Sequence, residues 1–120
     1  MAFLGDAAYA LYVRKRLVES VDDVCGTLHA KATRFVNAAA QALAYDALEA
    51  AGVLTDEEKD VARRAKNAHL HTHSKAASIA DYHRATALEA VIGWLEVTDN
   101  PARRDEILAL SFAAIESDTH

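Results

Sequence analysis

The chain has 120 residues, of which 52% are apolar, and a formal net charge of −5. This length supports one hydrophobic core and excludes two domains of ordinary size, and the apolar content excludes a disordered chain. Taken alone, the negative charge argues against a nucleic-acid binder, which usually carries a basic surface, although the distribution of charge can matter more than its sum. Because Cys25 is the single cysteine, no internal disulfide can form, and we predict a reducing, cytoplasmic location.

Composition and periodicity predict helices along the chain. One proline and four glycines accompany abundant alanine, and alanine is the best helix former whereas proline and glycine are the worst. A connection is expected at residues 19–26 and a polar loop at residues 69–77. Five helices are predicted, over residues 2–18, 27–51, 55–68, 78–97 and 101–116.

The predicted helix boundaries follow from residues that favour helix ends. Serine, threonine and asparagine cap the first turn, glycine ends a helix, and proline costs nothing at the first helical position. With no linker between subdomains, residues 1–120 are expected to form one all-α bundle. The candidate caps are Thr27, Gly52, Thr55 with Glu58 as a capping box, Ser78, and Asn100 followed by Pro101.

Two carboxylates stand alone in otherwise apolar helices. Asp6 is the only charged residue among the first 13, and Glu89 is the only one in the run ATALEAVIGWL. Helices that are apolar around their circumference are normally buried, and a buried carboxylate is costly unless it is paired or binds a metal. Each acid has a helix-weakening glycine nearby, Gly5 and Gly93, which indicates close approach of another backbone.

Three interpretations of Asp6 and Glu89 are open at this point. Each acid could lie on a thin solvent-facing stripe, or each could form a buried salt bridge with an arginine. Alternatively, the two acids meet in space and hold a divalent cation. Mg²⁺ commonly uses one or two carboxylates and retains several waters, so two acids would suffice.

Four segments resemble motifs of one enzyme family. AFLGDAAYALYVR and YHRATALEAVIGWL are similar to the two signature helices of ribonuclease III proteins, which carry a metal-binding aspartate and a metal-binding glutamate. Between them, HAKATRFVNAAAQA and EEKDVARRAKNA are similar to motifs of the Mini-III branch. The four segments follow in order over nearly the whole chain, which therefore resembles a Mini-III ribonuclease.

The resemblance implies a symmetric, all-α homodimer that cuts double-stranded RNA in a valley shared by two active sites. Asp6 and Glu89 match the catalytic metal ligands, for Mg²⁺ or a substituting Mn²⁺. Phe3 matches an aromatic residue that inserts into a partner pocket, and we expect Leu4 and Tyr9 beside it at the dimer interface. The implied products carry 5′-phosphates, and the implied substrates are ribosomal RNA precursors.

The sequence departs from larger ribonuclease III enzymes at several positions. Where those enzymes have a glutamate four residues before the aspartate and an aspartate three residues before the glutamate, this chain has Ala2 and Thr86. Both differences, and the lack of any segment similar to a double-stranded-RNA-binding domain, match the Mini-III branch. Ala65 and Lys66 replace a glycine and an arginine of the basic motif, and the positive charge is retained.

A basic cluster and a histidine-rich loop are the candidate RNA contacts. Arg63, Arg64, Lys66 and Asn67 would bind phosphates; the alternative is a solvated face paired with nearby acids. The loop could contact the duplex, as the resemblance implies, or be merely exposed, or bind a transition metal. Its candidate residues are His71, His73 and Lys75, with His69 beside them.

Two other classes of function stay open. A protein with the ribonuclease III fold could have lost catalysis and act as a dimeric RNA-binding or ribosome-associated module. A helical scaffold unrelated to RNA is the third possibility, and in it both carboxylates would be structural. Retention of both Asp6 and Glu89 favours the active endonuclease.

Overall fold

A computed structural model describes residues 1–20, 25–68 and 78–118. Every regular element in these ranges is an α-helix, which confirms the predicted all-α class. In chain order the helices are α1 (Ala2–Ser20), α2 (Cys25–Thr33), α3 (Ala38–Ala51), α4 (Asp56–Asn67), α5 (Ile79–Val97) and α6 (Pro101–Ser117).

Helix α5 forms the centre of the bundle because it is apolar on nearly every side. It packs against α1, α3, α4 and α6. No helix in the described ranges combines the length and the apolarity needed to cross a bilayer. The buried residues of α5 are Ala85, Ala87, Leu88, Ala90, Val91, Ile92, Gly93 and Leu95.

The helix predicted for residues 27–51 is wrong in one respect, because the chain leaves helical geometry between α2 and α3. Asn37 has an extended backbone, and its side-chain oxygen accepts a hydrogen bond of 2.8 Å from the Ala40 amide, which starts a new helix. Phe35, just before this cap, is buried, and its ring stacks on the ring of Phe112 with 4.2 Å between the ring centres. Thr27 does not cap the second helix, since α2 already begins at Cys25.

Most of the other predicted helix ends are confirmed. Gly52 ends α3 in the left-handed region with φ 68°, and Thr55 and Glu58 form the capping box of α4. The Ser78 side chain accepts from the Asp81 amide at 3.0 Å. Asn100 precedes α6 as predicted, but its amide donates to Thr98 and makes no cap.

A buried ion pair joins α4 to α6. The side chain of Glu58 is 2% exposed and accepts hydrogen bonds from Arg103 at 2.7 and 2.8 Å. Arg103 also donates to the Val53 carbonyl oxygen at 2.6 Å. The capping box and the ion pair share one carboxylate, so Glu58 anchors the start of α4 both locally and across the bundle.

Candidate functional site

The crossing of α1 and α5 depends on two glycines. A Cβ atom at Gly5 would overlap the Glu89 carbonyl group, and a Cβ atom at Gly93 would overlap the Met1 carbonyl group. Only glycine therefore allows the two backbones to touch, which is the close approach expected from the sequence. Because Asp6 follows Gly5 and Glu89 lies one turn before Gly93, the crossing brings the two acids side by side.

The two carboxyl groups lie within hydrogen-bond reach of each other. Asp6 is exposed and Glu89 is half-buried. Burial and then the hydrogen bond with Asp6 raise the pKa of Glu89 to about 8, against a smaller opposing effect from Gln41. At neutral pH without a cation, Glu89 therefore retains a proton, and a bound cation would displace it.

The salt-bridge interpretation of these acids fails. Neither Asp6 nor Glu89 forms an ion pair with a lysine or arginine anywhere in residues 1–20, 25–68 and 78–118. The expectation that both acids lie on buried helices is half right, because α1 is open to solvent at Asp6 whereas α5 is enclosed. The pair thus faces solvent on one side and the core on the other.

The donor set of the site suits a hard divalent cation. The carboxyl groups of Asp6 and Glu89 lie next to each other, and no basic side chain of the described chain forms an ion pair with them. Among the described residues, no group of three or more His, Cys, Asp or Glu side chains could hold a metal. A Mg²⁺ ion here would therefore depend on two carboxylates and several waters or phosphate oxygens, which is an ordinary coordination for this ion.

Gln41, the glutamine of the HAKATRFVNAAAQA segment, also lies at the candidate site, a role that the sequence did not predict. Its side-chain nitrogen donates to Oε2 of Glu89 at 3.0 Å, and the residue is 4% exposed. Gln41 is the only polar residue between Asn37 and Tyr45. Its isolation among apolar residues is the same sequence signal that distinguishes Asp6 and Glu89, here in a polar side chain that carries no charge.

The basic cluster is on the surface of α4. Arg63 and Arg64 are exposed, and each forms a 2.6 Å ion pair with Asp60. The Lys66 ammonium lies 5.0 Å from the centre of the Tyr45 ring, and Asn67 is exposed at the end of the helix. Solvated ion pairs of this kind are weak, so both arginines can exchange Asp60 for a phosphate.

The predicted RNA-contact residues of the loop, His71, His73 and Lys75, lie outside the described residues, as does His69. Their role stays a prediction.

The predicted interface residues divide into two groups. Phe3 is 94% exposed and Leu4 is 40% exposed. Tyr9 is 1% exposed, and its hydroxyl donates to the Phe35 carbonyl oxygen at 2.7 Å. The assignment of Tyr9 to the dimer interface is therefore wrong, because a side chain enclosed in its own core has no surface for a partner.

The known proteins to which this chain is similar belong to one enzyme family. The family model for the ribonuclease III domain matches residues 1–100. A protein named Mini-ribonuclease 3 from Streptococcus pneumoniae is 34% identical over 116 residues, covering 97% of this chain and 91% of that protein. Another of that name, from Symbiobacterium thermophilum, is 40% identical, covering 97% and 88%.

A solved structure shares the fold. The crystal structure of a protein from Fusobacterium nucleatum superposes with a TM-score of 0.80 at 31% sequence identity. The match covers 93% of this chain and 88% of that one.

Proposed function

Because the chain belongs to the ribonuclease III family of endoribonucleases, in its Mini-ribonuclease 3 group, we propose that it cleaves double-stranded RNA with the help of a divalent cation. The observation that carries the proposal is the pair of carboxyl groups of Asp6 and Glu89 at the α1–α5 crossing, unneutralised by any basic side chain of the described residues. We propose Mg²⁺ as the cation, with Mn²⁺ as a substitute.

Asp6 and Glu89 are the residues that would hold the cation. When bound, a divalent cation lowers the pKa of a water for attack on phosphorus and steadies the departing oxygen. Asp6 faces solvent, from which the RNA must approach, whereas Glu89 is half-buried and accepts a hydrogen bond from Gln41. We propose hydrolysis that leaves 5′-phosphate and 3′-hydroxyl ends with a short 3′ overhang, as the resemblance implies.

The basic cluster on α4 supplies the proposed phosphate contacts. Arg63, Arg64, Lys66 and Asn67 would bind the duplex backbone independently of sequence. Sequence preference would then depend on the loop, through His71, His73 and Lys75, because the deep major groove of duplex RNA hides its bases. Ribosomal RNA precursors are the proposed natural substrates.

The proposed enzyme is a homodimer. Phe3 and Leu4 expose apolar surface on α1, and Leu4 also lines a groove of about 320 Å³ between α1 and α6. Leu4, Ala7, Leu11 and Leu108 are among the residues that line this groove. A two-fold arrangement would cover both surfaces and would place two carboxylate pairs along one duplex.

A nuclease assay tests the proposed function. The protein is incubated with long duplex RNA with and without Mg²⁺, beside the Glu89→Gln variant. We expect Mg²⁺-dependent cleavage by the native chain alone. A mobility shift without cleavage by the native chain would instead support an RNA-binding module, and neither cleavage nor shift would support a scaffold.

A further inference from the structure

Gln41 occupies an unusual place in the core. The buried polar or charged residues of the described chain are Gln41, Glu58 and Ser111. Glu58 forms an ion pair with Arg103, and the Ser111 hydroxyl donates to the Ile107 carbonyl oxygen of its own helix at 2.7 Å. Gln41 alone directs its side chain across helices to a residue of the carboxylate pair, donating to Oε2 of Glu89 at 3.0 Å.

An amide suits this place better than a cation would. A carboxylate that holds a metal needs its orientation fixed and its charge kept. Lysine or arginine would fix the orientation, but its charge would also compete with the metal. The amide of Gln41 donates a hydrogen bond and adds no net charge, so Glu89 stays available as an anionic ligand.

Gln41 is held in place partly by a hydrogen bond from α1, the helix that carries Asp6. Tyr9 lies three residues after Asp6, and its hydroxyl donates to the Phe35 carbonyl oxygen at 2.7 Å. This hydrogen bond stabilises the non-helical segment between α2 and α3. Asn37 then caps α3, and the Gln41 backbone amide completes the first turn by donating to the Asn37 carbonyl oxygen at 3.0 Å. Hydrogen bonds and this one helical turn thus connect α1 to Glu89 through Gln41.

We propose that Gln41 is a positioning residue of the metal site, which orients the Glu89 carboxylate beside Asp6 for a divalent cation. This inference rests on the proposed function. Gln41 acts through Glu89 and is not a catalytic residue. Partners that orient a metal ligand typically change metal affinity by about 10–100-fold when they are removed.

The test measures metal binding directly, without RNA. Binding of Mn²⁺ is followed by electron paramagnetic resonance of the free ion in the native protein and in Gln41→Leu, which keeps much of the side-chain volume and loses the donor. We expect the Mn²⁺ dissociation constant of Gln41→Leu to rise by about 10–100-fold. In cleavage assays the Mg²⁺ concentration for half-maximal rate should rise in parallel, while the rate at saturating Mg²⁺ recovers most of its native value.

Two controls separate positioning from stability. Ser111→Ala removes another buried hydrogen bond from the same core and should leave Mn²⁺ affinity unchanged. If circular dichroism shows that Gln41→Leu is unfolded, Gln41→Asn replaces it, because its shorter side chain keeps the polarity but cannot span the same distance. Either variant should lower Mn²⁺ affinity at a melting temperature close to that of Ser111→Ala.

The outcomes distinguish the two proposals. Mn²⁺ binding that is lost in Glu89→Gln but stays within about two-fold of native in the Gln41 variant would overturn the role of Gln41 alone. Native protein that binds no Mn²⁺, or binds it equally well after Glu89→Gln, would overturn the metal site and the role of Gln41 together.

Discussion

Two glutamates of this chain, one buried and one half-buried, have opposite electrostatic surroundings. Burial opposes ionisation of Glu58, but hydrogen bonds from Arg103 and from the Thr55 amide outweigh it and lower the pKa of that carboxyl group. Glu89 has no basic partner in the described chain, and burial and Asp6 raise its pKa to about 8. Glu58 therefore stabilises the fold as an anion, whereas Glu89 needs a bound cation to be a stable anion at neutral pH.

Substitution of the two glutamates by glutamine should therefore have opposite effects without metal. Glu58→Gln breaks the buried pair with Arg103 and should lower the free energy of unfolding by about 3 kcal/mol, at the lower end of the range for such pairs because Arg103 remains partly solvated. Glu89→Gln and Asp6→Asn should melt at the native temperature or slightly above, yet lose cleavage. Thermal melts in a metal chelator check the first half, and RNA cleavage in Mg²⁺ checks the second.

Stability should also depend on pH through Glu89. Its pKa is near 8 in the folded metal-free protein and 4.5 as its ordinary value. Between those values the folded state binds more protons than the unfolded state, so the free energy of unfolding should fall as pH rises through this window. Urea titrations of metal-free protein at pH values of about 5 and about 8.5, which span most of this window, measure the fall. Glu89→Gln should show a flatter profile, and an equally steep one would contradict the shifted pKa.

At the scale of single residues, the sequence pointed to the charged residues of the candidate site more readily than to the neutral one. Asp6 and Glu89 were identifiable because a lone charge in an apolar helix requires a reason. Tyr9 was misplaced because an apolar pattern around α1 does not tell which side meets the core and which meets a partner. Its burial depends on contacts with Phe35, which is distant in sequence.

At the scale of helices, the sequence predicted the helix ends that depend on neighbouring residues but not the break that depends on residues distant in sequence. The ends at Gly52, Thr55 and Ser78 were predictable because each uses backbone groups within a few residues. The break before Asn37 was not, because it is held by the Tyr9 hydroxyl on another helix and by the stacking of Phe35 on α6. That unpredicted break also starts the helix that carries Gln41.

The α1–α5 crossing gives a prediction for the glycines. Gly5→Ala and Gly93→Ala each place a Cβ atom inside a backbone carbonyl group, which cannot move aside as a flexible side chain would. Each should destabilise the protein by about 3 kcal/mol or more, at or above the upper end of the usual range for overpacking, and separate Asp6 from Glu89. Gly52→Ala is the matched control, with φ 68° and open space around it, and should cost about 1 kcal/mol. Urea unfolding ranks the three variants, and equal losses would contradict the crossing.

The surface of α4 gives a prediction for RNA binding. Arg63→Ala combined with Arg64→Ala should flatten the dependence of the logarithm of affinity on the logarithm of salt concentration, by about 0.9 for each phosphate that the variant no longer neutralises. Asp60→Asn should tighten binding, because it frees both arginines and removes a negative charge. Fluorescence anisotropy with the Glu89→Gln protein measures both without cleavage. An unchanged slope in the double variant would move the RNA surface elsewhere.

For the molecule as a whole, the acidic net charge is compatible with an RNA enzyme because a sum of charges does not report where the charges lie. Arg63, Arg64 and Lys66 lie together on α4, whereas Glu58 and Glu96 pair with arginines of α6. A cation bound by Asp6 and Glu89 would offset part of the remaining negative charge. The net charge of the sequence therefore argued against the function that the motifs and the carboxylate pair support.

The largest exposed apolar side chains of α1 predict a dimer interface. Phe3 is 94% exposed, and Leu11, which lines the groove between α1 and α6, is 60% exposed. Burying one phenylalanine is worth about 1.5–3 kcal/mol, and two-fold symmetry counts it twice, so Phe3→Glu should weaken a dimer by more than about 100-fold. Multi-angle light scattering at micromolar concentration should show a native dimer and a Phe3→Glu monomer, with cleavage reduced in the variant. Val97→Glu is the control, since Val97 is 57% exposed at the end of α5, and it should stay dimeric and active. A native monomer that cleaves RNA at full rate would refute the dimer, and a dimeric Phe3→Glu protein would place its interface on another face.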